Sequence, residues 1–309
     1  MPVNNEIPIV PVPFKKKTEE APTTKILAHL ASIDVTLLSA PSLEDLYSYI
    51  PDWVTATWRD TAEKYLSQEE RKQLFDDTLD GLMLPTALET INLVFRIDNL
   101  DLIDVTHLIR HRTLSFSAQC TADRDLRHDP ALVKETILFH EKFLDRFTDI
   151  VKQAKELYSV MVDSGEISIL DARTILPRCL PAFYYVRGNL KDILSFIRTR
   201  LDEQIQPMSD NVIAMRMFVE LCRKYPMLTR YATIGGRDDF YCKTALSGRN
   251  SNIYPPKEEN DTFYYNEESF QYSKRREEFV GAEAYEVIKS HCLLQLEIIE
   301  DEYNKREVE

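Results

Sequence analysis

Glycine is nearly missing from this sequence. Seven glycines stand in 309 residues, where an average usage of about 7% would give roughly three times as many. No three of them fit G-x-G-x-x-G, and none fits G-x-x-x-x-G-K-[ST]. Both loops use glycine to bring backbone amides up to phosphate, so a Rossmann turn and a P-loop are not expected. Any phosphate bound by this chain is then held mostly by side chains. Cysteine is sparse too. Cys120, Cys179, Cys222, Cys242 and Cys292 are odd in number, widely spaced and without a C-x-x-C pair. Neither a zinc knuckle nor a disulfide framework is suggested, and a reducing cytoplasm fits best. No apolar run approaches the roughly 18 residues of a membrane span, and the first residues show no apolar leader segment. Positive charge is in deficit: the net charge is −13, which disfavours nonspecific nucleic-acid binding unless a local basic cluster overrides it. Among six histidines no H-E-x-x-H occurs. His107 and His111 share a helix spacing, but no acidic base lies between them, so a metal centre is weakly supported.

What is present is enough for a core, with 44% hydrophobic residues. Residues 1–24 read as a tail, with Pro2, Pro8, Pro11, Pro13 and Pro22 flanking Lys15, Lys16 and Lys17. The β-branched, apolar run 33–38 predicts a strand. Ser42 predicts a helix cap, with the helix running to about Trp58. Ser67 and Glu70 form a capping-box pattern ahead of a second helix ending near Leu79. Residues 88–97 alternate in part and predict a strand; residues 100–111 predict a helix. Asp129-Pro130 predicts an N-cap and first turn of a long helix stopping at Gly165. Ser168 caps a shorter one. Residues 189–203, 209–224 and 282–303 predict three more, and residues 226–270 read as loop. The class is α+β and helix-rich.

One segment carries chemistry: Arg110-His111-Arg112-Thr113-Leu114-Ser115-Phe116-Ser117. Two arginines and a histidine followed by hydroxyls make an anion site, since guanidinium forks bind phosphate with two parallel donors. The plainer reading is a helix end whose arginines cap carbonyls or pair with carboxylates.

The string R-H-R-x-x-S, matched by Arg110, His111, Arg112 and Ser115, resembles the hallmark of the flavin-dependent thymidylate synthases. A second block supports it. Ala172 to Pro177 resembles that family's A-R-x-x-L-P, and Asn189, Arg200 and Gln206 follow at the family's spacings. The strand near Val35 and the pair Glu89 and Phe95 also sit in place. The resemblance spans roughly residues 30–225. It implies a tail (1–24), a catalytic core with a small mixed sheet (25–225) and a C-terminal extension (226–309). It further implies a homotetramer whose active sites lie between subunits and take FAD, NADPH, 5,10-methylenetetrahydrofolate and the pyrimidine deoxynucleotide dUMP. NADPH would reduce the flavin and the folate would give the carbon that ends as the C5 methyl of dTMP. No nucleic acid or membrane partner is implied.

Carried over by position, Arg110, His111, Arg112, Ser115, Asn189, Lys191, Ser195 and Gln204 would face the flavin. His107, Arg110, Thr121, Arg124, Arg173 and Arg200 would face the nucleotide, with Arg200 also the catalytic candidate near the pyrimidine. Asn189 also reads as a plain helix cap after Gly188. The departures cluster. His107 stands where the family has glutamine, Lys191 where it has arginine, Ser195 where it has asparagine and Gln204 where it has histidine. Thr121 and Arg124 reach the family's serine and arginine places only across a short insertion. Three readings stay open: the methylase, with dCMP as substrate or hydroxymethyl as product among its variants; a non-catalytic nucleotide-binding relative; and an unrelated helical interaction protein. The aromatic and basic run 264–276 reads as a surface extension, or as a cover for the site or a subunit interface.

Overall fold

The computed structural model describes residues 22, 25–58, 66–79, 82–119, 121, 124–201, 207–234, 240–242 and 279–308. Gln204, Gln206 and the run 264–276 lie outside the described residues.

The chain begins with β1 (Ile26–Ala28), a single turn α1 (His29–Ser32) and β2 (Asp34–Ser39). Helix α2 (Leu43–Trp58) starts where Ser42 predicts it. The Asp45 amide donates to Ser42 Oγ at 3.0 Å, and the Ser42 amide donates back to Asp45 at 2.8 Å. Helix α3 (Gln68–Leu79) opens on the same device, Ser67 with Glu70. A 3-10 stretch, Pro85–Thr90, leads into β3 (Asn92–Leu100). Asp101 then caps α4 (Leu102–Leu108) through a full capping box with Asp104.

After β4 (Ser115–Ala118) the structure departs from the helix expected at Asp129-Pro130. Ala131–Val133 is instead strand β5, parallel to β1, followed by the turn α5 (Glu135–Leu138). The long helix α6 (Glu141–Ser164) starts only at Glu141. The local cap signal is overridden because Asp129 pairs with Arg124 at 2.8 Å and because a distant strand takes residues 131–133 into its ladder. The predicted stop holds: Gly165 sits at φ 72°, the left-handed conformation that ends helices. Ser168 caps α7 (Ile169–Ala172), which tightens into a 3-10 turn through Ile175.

Strand β6 (Ala182–Asn189) leads directly into α8 (Leu190–Arg200), and α9 (Met208–Lys224) follows. A two-stranded ladder, β7 (Ala232–Ile234) with β8 (Phe240–Cys242), and the C-terminal helix α10 (Glu283–Val308) complete the described elements.

The main sheet has the order β2-β3-β6-β4 and is antiparallel throughout; the parallel pairing lies in the separate β1-β5 ladder. Its inner residues Val35, Leu93, Phe95, Ile97 and Val186 are buried. They share one core with Ile193 and Ile197 of α8, with Met215, Phe218 and Leu221 of α9, and with Tyr285, Cys292 and Leu296 of α10. The C-terminal helix therefore shares the core of residues 25–225. A small second cluster of Leu126, Tyr158 and Ala172 seats α6 on the loop ahead of β5. The opposite sheet face carries Arg96, Tyr185, Arg187, Ser115 and Ser117.

Candidate active site

The R-H-R segment is the turn that joins α4 to β4. Its backbone folds on itself: the Arg110 amide donates to the His107 carbonyl at 3.2 Å, and the His111 amide to the Leu108 carbonyl at 3.3 Å. Leu114 anchors it, buried against Gly188. A Cβ on Gly188 would lie 2.3 Å from Leu114 Cδ2, so glycine here allows the turn to pack directly on β6.

Arg200, at the end of α8, holds this turn from inside. Its Nε donates to His111 Nε2 at 2.9 Å, Nη1 to Asp210 Oδ2 at 2.6 Å, and Nη2 to the His107 carbonyl at 2.7 Å. Its residue is 8% exposed. Asp210 lies in the first turn of α9, where the helix dipole favours a carboxylate, and also takes His107 Nδ1 at 3.2 Å. Asn211 Nδ2 donates to the Arg200 carbonyl at 2.7 Å, tying the end of α8 to α9. His107, His111 and Asp210, up to 103 residues apart in sequence, thus meet around the Arg200 guanidinium.

The electrostatics follow from that packing. Burial and the Arg200 guanidinium hold the His111 imidazole down at about 4. Since Nε2 accepts from Arg200, His111 is neutral with its proton on Nδ1, and its ring meets Phe196 edge-on at 4.6 Å. Burial pushes the Asp210 carboxyl up, against the opposing pull of Arg200 and His107.

Arg110 and Arg112 behave differently. Both are exposed, and neither guanidinium has an ion pair or hydrogen bond among the described residues. Ser115 is exposed at the start of β4, directly across from Arg187 of β6. Arg187 is a further exposed cation without a partner among the described residues, and only the strand register brings it beside Ser115.

The other expected residues fall into three situations. Arg173 and Thr121 come together, Arg173 Nη1 donating to Thr121 Oγ1 at 2.8 Å, while Arg173 Nε donates to the Leu170 carbonyl at 3.1 Å. Arg124 is committed to structure: it donates to the Pro181 carbonyl at 2.6 Å and pairs with Asp129. Asn189 is the N-cap of α8, its Oδ1 accepting from the Asp192 amide at 2.8 Å, and Lys191 is ion-paired with Glu89. Ser195 is half-buried on α8, its carbonyl accepting from Thr199 Oγ1 at 2.9 Å.

A second polar cluster has the residue types of a metal site and holds a lysine ammonium among them. His29, Asp101 and Asp104 are buried within ligand distance of one another. The Lys134 ammonium already stands among them, 2.9 Å from His29 Nδ1, 2.9 Å from Asp101 and 3.1 Å from Asp104. Against the effect of burial, the hydrogen bond from His29, with Lys134 beside it, holds the Asp104 carboxyl well below the usual range. No helix among the described residues is long and apolar enough to cross a membrane.

Residues 46–227 match the family model described as thymidylate synthase complementing protein. A flavin-dependent thymidylate synthase of Thermococcus onnurineus is 24% identical over 200 residues, 62% of this chain and 78% of that protein. One from Pyrococcus furiosus is 22% identical over 198 residues, with the same coverage. In fold, the chain is similar to a UMP/dUMP methylase, PolB, of Streptomyces cacaoi, solved with 5-Br dUMP, at a TM-score of 0.55 and 18% identity over 65% of this chain and 93% of that one. The family match spans more than half of the sequence and contains the whole R-H-R turn with its Arg200 and Asp210 anchor, and the chain belongs to the flavin-dependent thymidylate synthases, a family of methyltransferase enzymes.

Proposed function

We propose that this chain catalyses flavin- and folate-dependent C5 methylation of a pyrimidine deoxynucleotide, dUMP to dTMP, in a homotetramer. NADPH reduces FAD, and 5,10-methylenetetrahydrofolate supplies the carbon. The observation that carries this reading is the split within the R-H-R turn. Arg110 and Arg112 keep exposed forks without a partner among the described residues, while His111 is pinned by Arg200. Free forks on a fixed turn suit the phosphates of FAD and of the nucleotide. The names of the relatives support the flavin, and that of the fold neighbour fits a pyrimidine nucleotide.

Bound FAD would supply the redox chemistry. The chain's own part is binding and orientation. Arg110 and Arg112 would take phosphate oxygens, with Ser115 and Arg187 beside them. Arg173, whose Nη1 already reaches Thr121, would take the nucleotide phosphate. Arg200 acts from within the protein: its donors are committed to Asp210, His107 and His111, so it would set the shape of the pyrimidine pocket more than grip the base directly. His111, whose Nε2 accepts from Arg200, would add no positive charge to those of the arginines.

One observation favours a variant of the reaction. His107 replaces the family's glutamine and is anchored to Asp210, which changes the donor and acceptor pattern offered to a base edge. That suits dCMP as substrate or a hydroxymethyl product. Asn189 and Lys191, both engaged within the chain, favour weaker flavin binding and a non-catalytic relative. One experiment separates these. The purified protein is incubated with FAD, NADPH, methylenetetrahydrofolate and either dUMP or dCMP, and the product mass is read. A visible flavin absorption band and a methylated dUMP are expected. Colourless protein that FAD does not reconstitute overturns the flavin-dependent reading.

A further inference from the structure

We propose that Asp210 is a positioning residue of this site, whose buried carboxylate turns His107 so that Nε2 faces outward as an acceptor for an N–H donor on a pyrimidine edge. The inference rests on the nucleotide reading above.

Asp210 is 3% exposed and sits in the first turn of α9, away from the R-H-R segment in sequence. One of its oxygens serves two groups, Arg200 Nη1 at 2.6 Å and His107 Nδ1 at 3.2 Å. A carboxylate paired with a guanidinium only accepts, so the proton of the His107 contact lies on Nδ1. A ring whose single proton sits on Nδ1 keeps its lone pair on Nε2, at the opposite edge. The His107 side chain is 40% exposed, and it stands about one turn before Arg110, whose guanidinium has no partner among the described residues. The charged groups that face Asp210 are Arg200 from α8 and His107 and Asp104 from α4. Arg200 has the second role of binding the His107 carbonyl, so backbone and side chain of His107 are both fixed by the same ion pair.

A ring fixed in this way reads a donor and rejects an acceptor. Among pyrimidine nucleotides the matching groups are the imide N3–H of uracil and the exocyclic amine of cytosine. Both are N–H donors on the base edge, and binding with dUMP and with dCMP separates them. A glutamine at this position could turn its amide to serve either kind of partner. An anchored histidine cannot.

The test uses the full chain with nitrogen-labelled histidine. The ring shifts of His107 report which nitrogen carries the proton, and calorimetry gives the affinities for dUMP and dCMP. In the wild type, His107 is expected in the Nδ1–H form. In Asp210→Asn that preference is lost, and affinity for the cognate nucleotide falls at least about tenfold. Asp210→Asn adds little to the loss already produced by His107→Asn, because both act through one ring. Should Asp210→Asn fail to fold, the half-exposed His107→Asn carries the same expectation. An Nε2–H form in the wild type overturns the proposal. So does unchanged affinity in folded Asp210→Asn or His107→Asn. If the wild type binds neither nucleotide, the function proposed above fails and this inference with it. Binding to the wild type without loss in the variants overturns the positioning role alone.

Discussion

His111 and Arg200 hold each other in opposite protonation states, and that has a consequence for stability. The unfolded imidazole takes up a proton near pH 6.5, whereas in the folded chain it does so only at about 4. Between those values the unfolded state binds more protons, so stability falls as pH drops through that window. With partial screening, about 1 kcal/mol is expected to be lost between pH 7 and pH 5 through this residue. Urea melts of the wild type and His111→Asn at both pH values check it: the variant should show the smaller pH dependence. The arginines divide in the same way. Arg110→Ala and Arg112→Ala remove exposed forks that have no partner among the described residues, so the melting midpoint should move by less than about 0.5 kcal/mol equivalent, while calorimetry shows weaker dUMP binding. Arg200→Ala leaves Asp210 buried without its ion pair and should cost about 3 kcal/mol or more. If all three variants melt alike, the distinction between presented and anchoring arginines is wrong.

The helices were legible where a local device sets them. Ser42, Ser67, Ser168 and Asn189 each cap the helix that follows, and Gly165 ends one, because these signals need only neighbours in the chain. Elements fixed by distant partners were not legible, β5 and β6 among them. Asp129-Pro130 imitates a helix start, yet its fate is decided by Arg124 and by a strand about a hundred residues earlier. Strand β6 carries aromatic or apolar residues on both faces, Tyr184 and Val186 inward and Phe183 and Tyr185 outward, so the period-2 contrast that marks a strand is blurred. The site shows the same limit. R-H-R is visible as a string, whereas Asp210 is one ordinary first-turn acid until the fold brings it to His107, and Arg187 becomes a site neighbour only through strand register. The contact of β6 with the R-H-R turn is testable at Gly188. Gly188→Ala forces Leu114 aside and should cost about 1–3 kcal/mol in denaturant melts. Because Leu114 lies between Arg112 and Ser115, nucleotide affinity should fall in the same variant. Affinity equal to wild type would show that the turn is held independently of β6.

At the scale of the whole molecule, the two long outer helices have opposite fates. Helix α10 is drawn into the main core: Tyr285, Cys292 and Leu296 are buried with α9 and the 3-10 stretch 226–231. Leu296→Ala should therefore destabilise the entire chain by about 3 kcal/mol, as a core truncation does, with a single cooperative transition in calorimetry. A separate low-temperature step would mean that α10 melts by itself. Helix α6 is the reverse case. Its apolar positions recur at helical spacing, yet Phe143 (53% exposed), Ile150 (64%) and Val160 (67%) face outward, with Leu157 beside them. Apolar side chains spaced seven residues apart on one exposed face mark a surface that gains by being covered. The homotetramer proposed above would supply the cover, a second copy of the chain. Ile150→Glu and Leu157→Glu together place two carboxylates on that face. Inside one subunit the change should be nearly neutral, since both residues are exposed, but across a contact between copies it buries unpaired charge. Light scattering should then show a smaller assembly than the wild type at equal concentration, with helical content by circular dichroism unchanged. An unaltered mass would place the subunit contact elsewhere on the molecule.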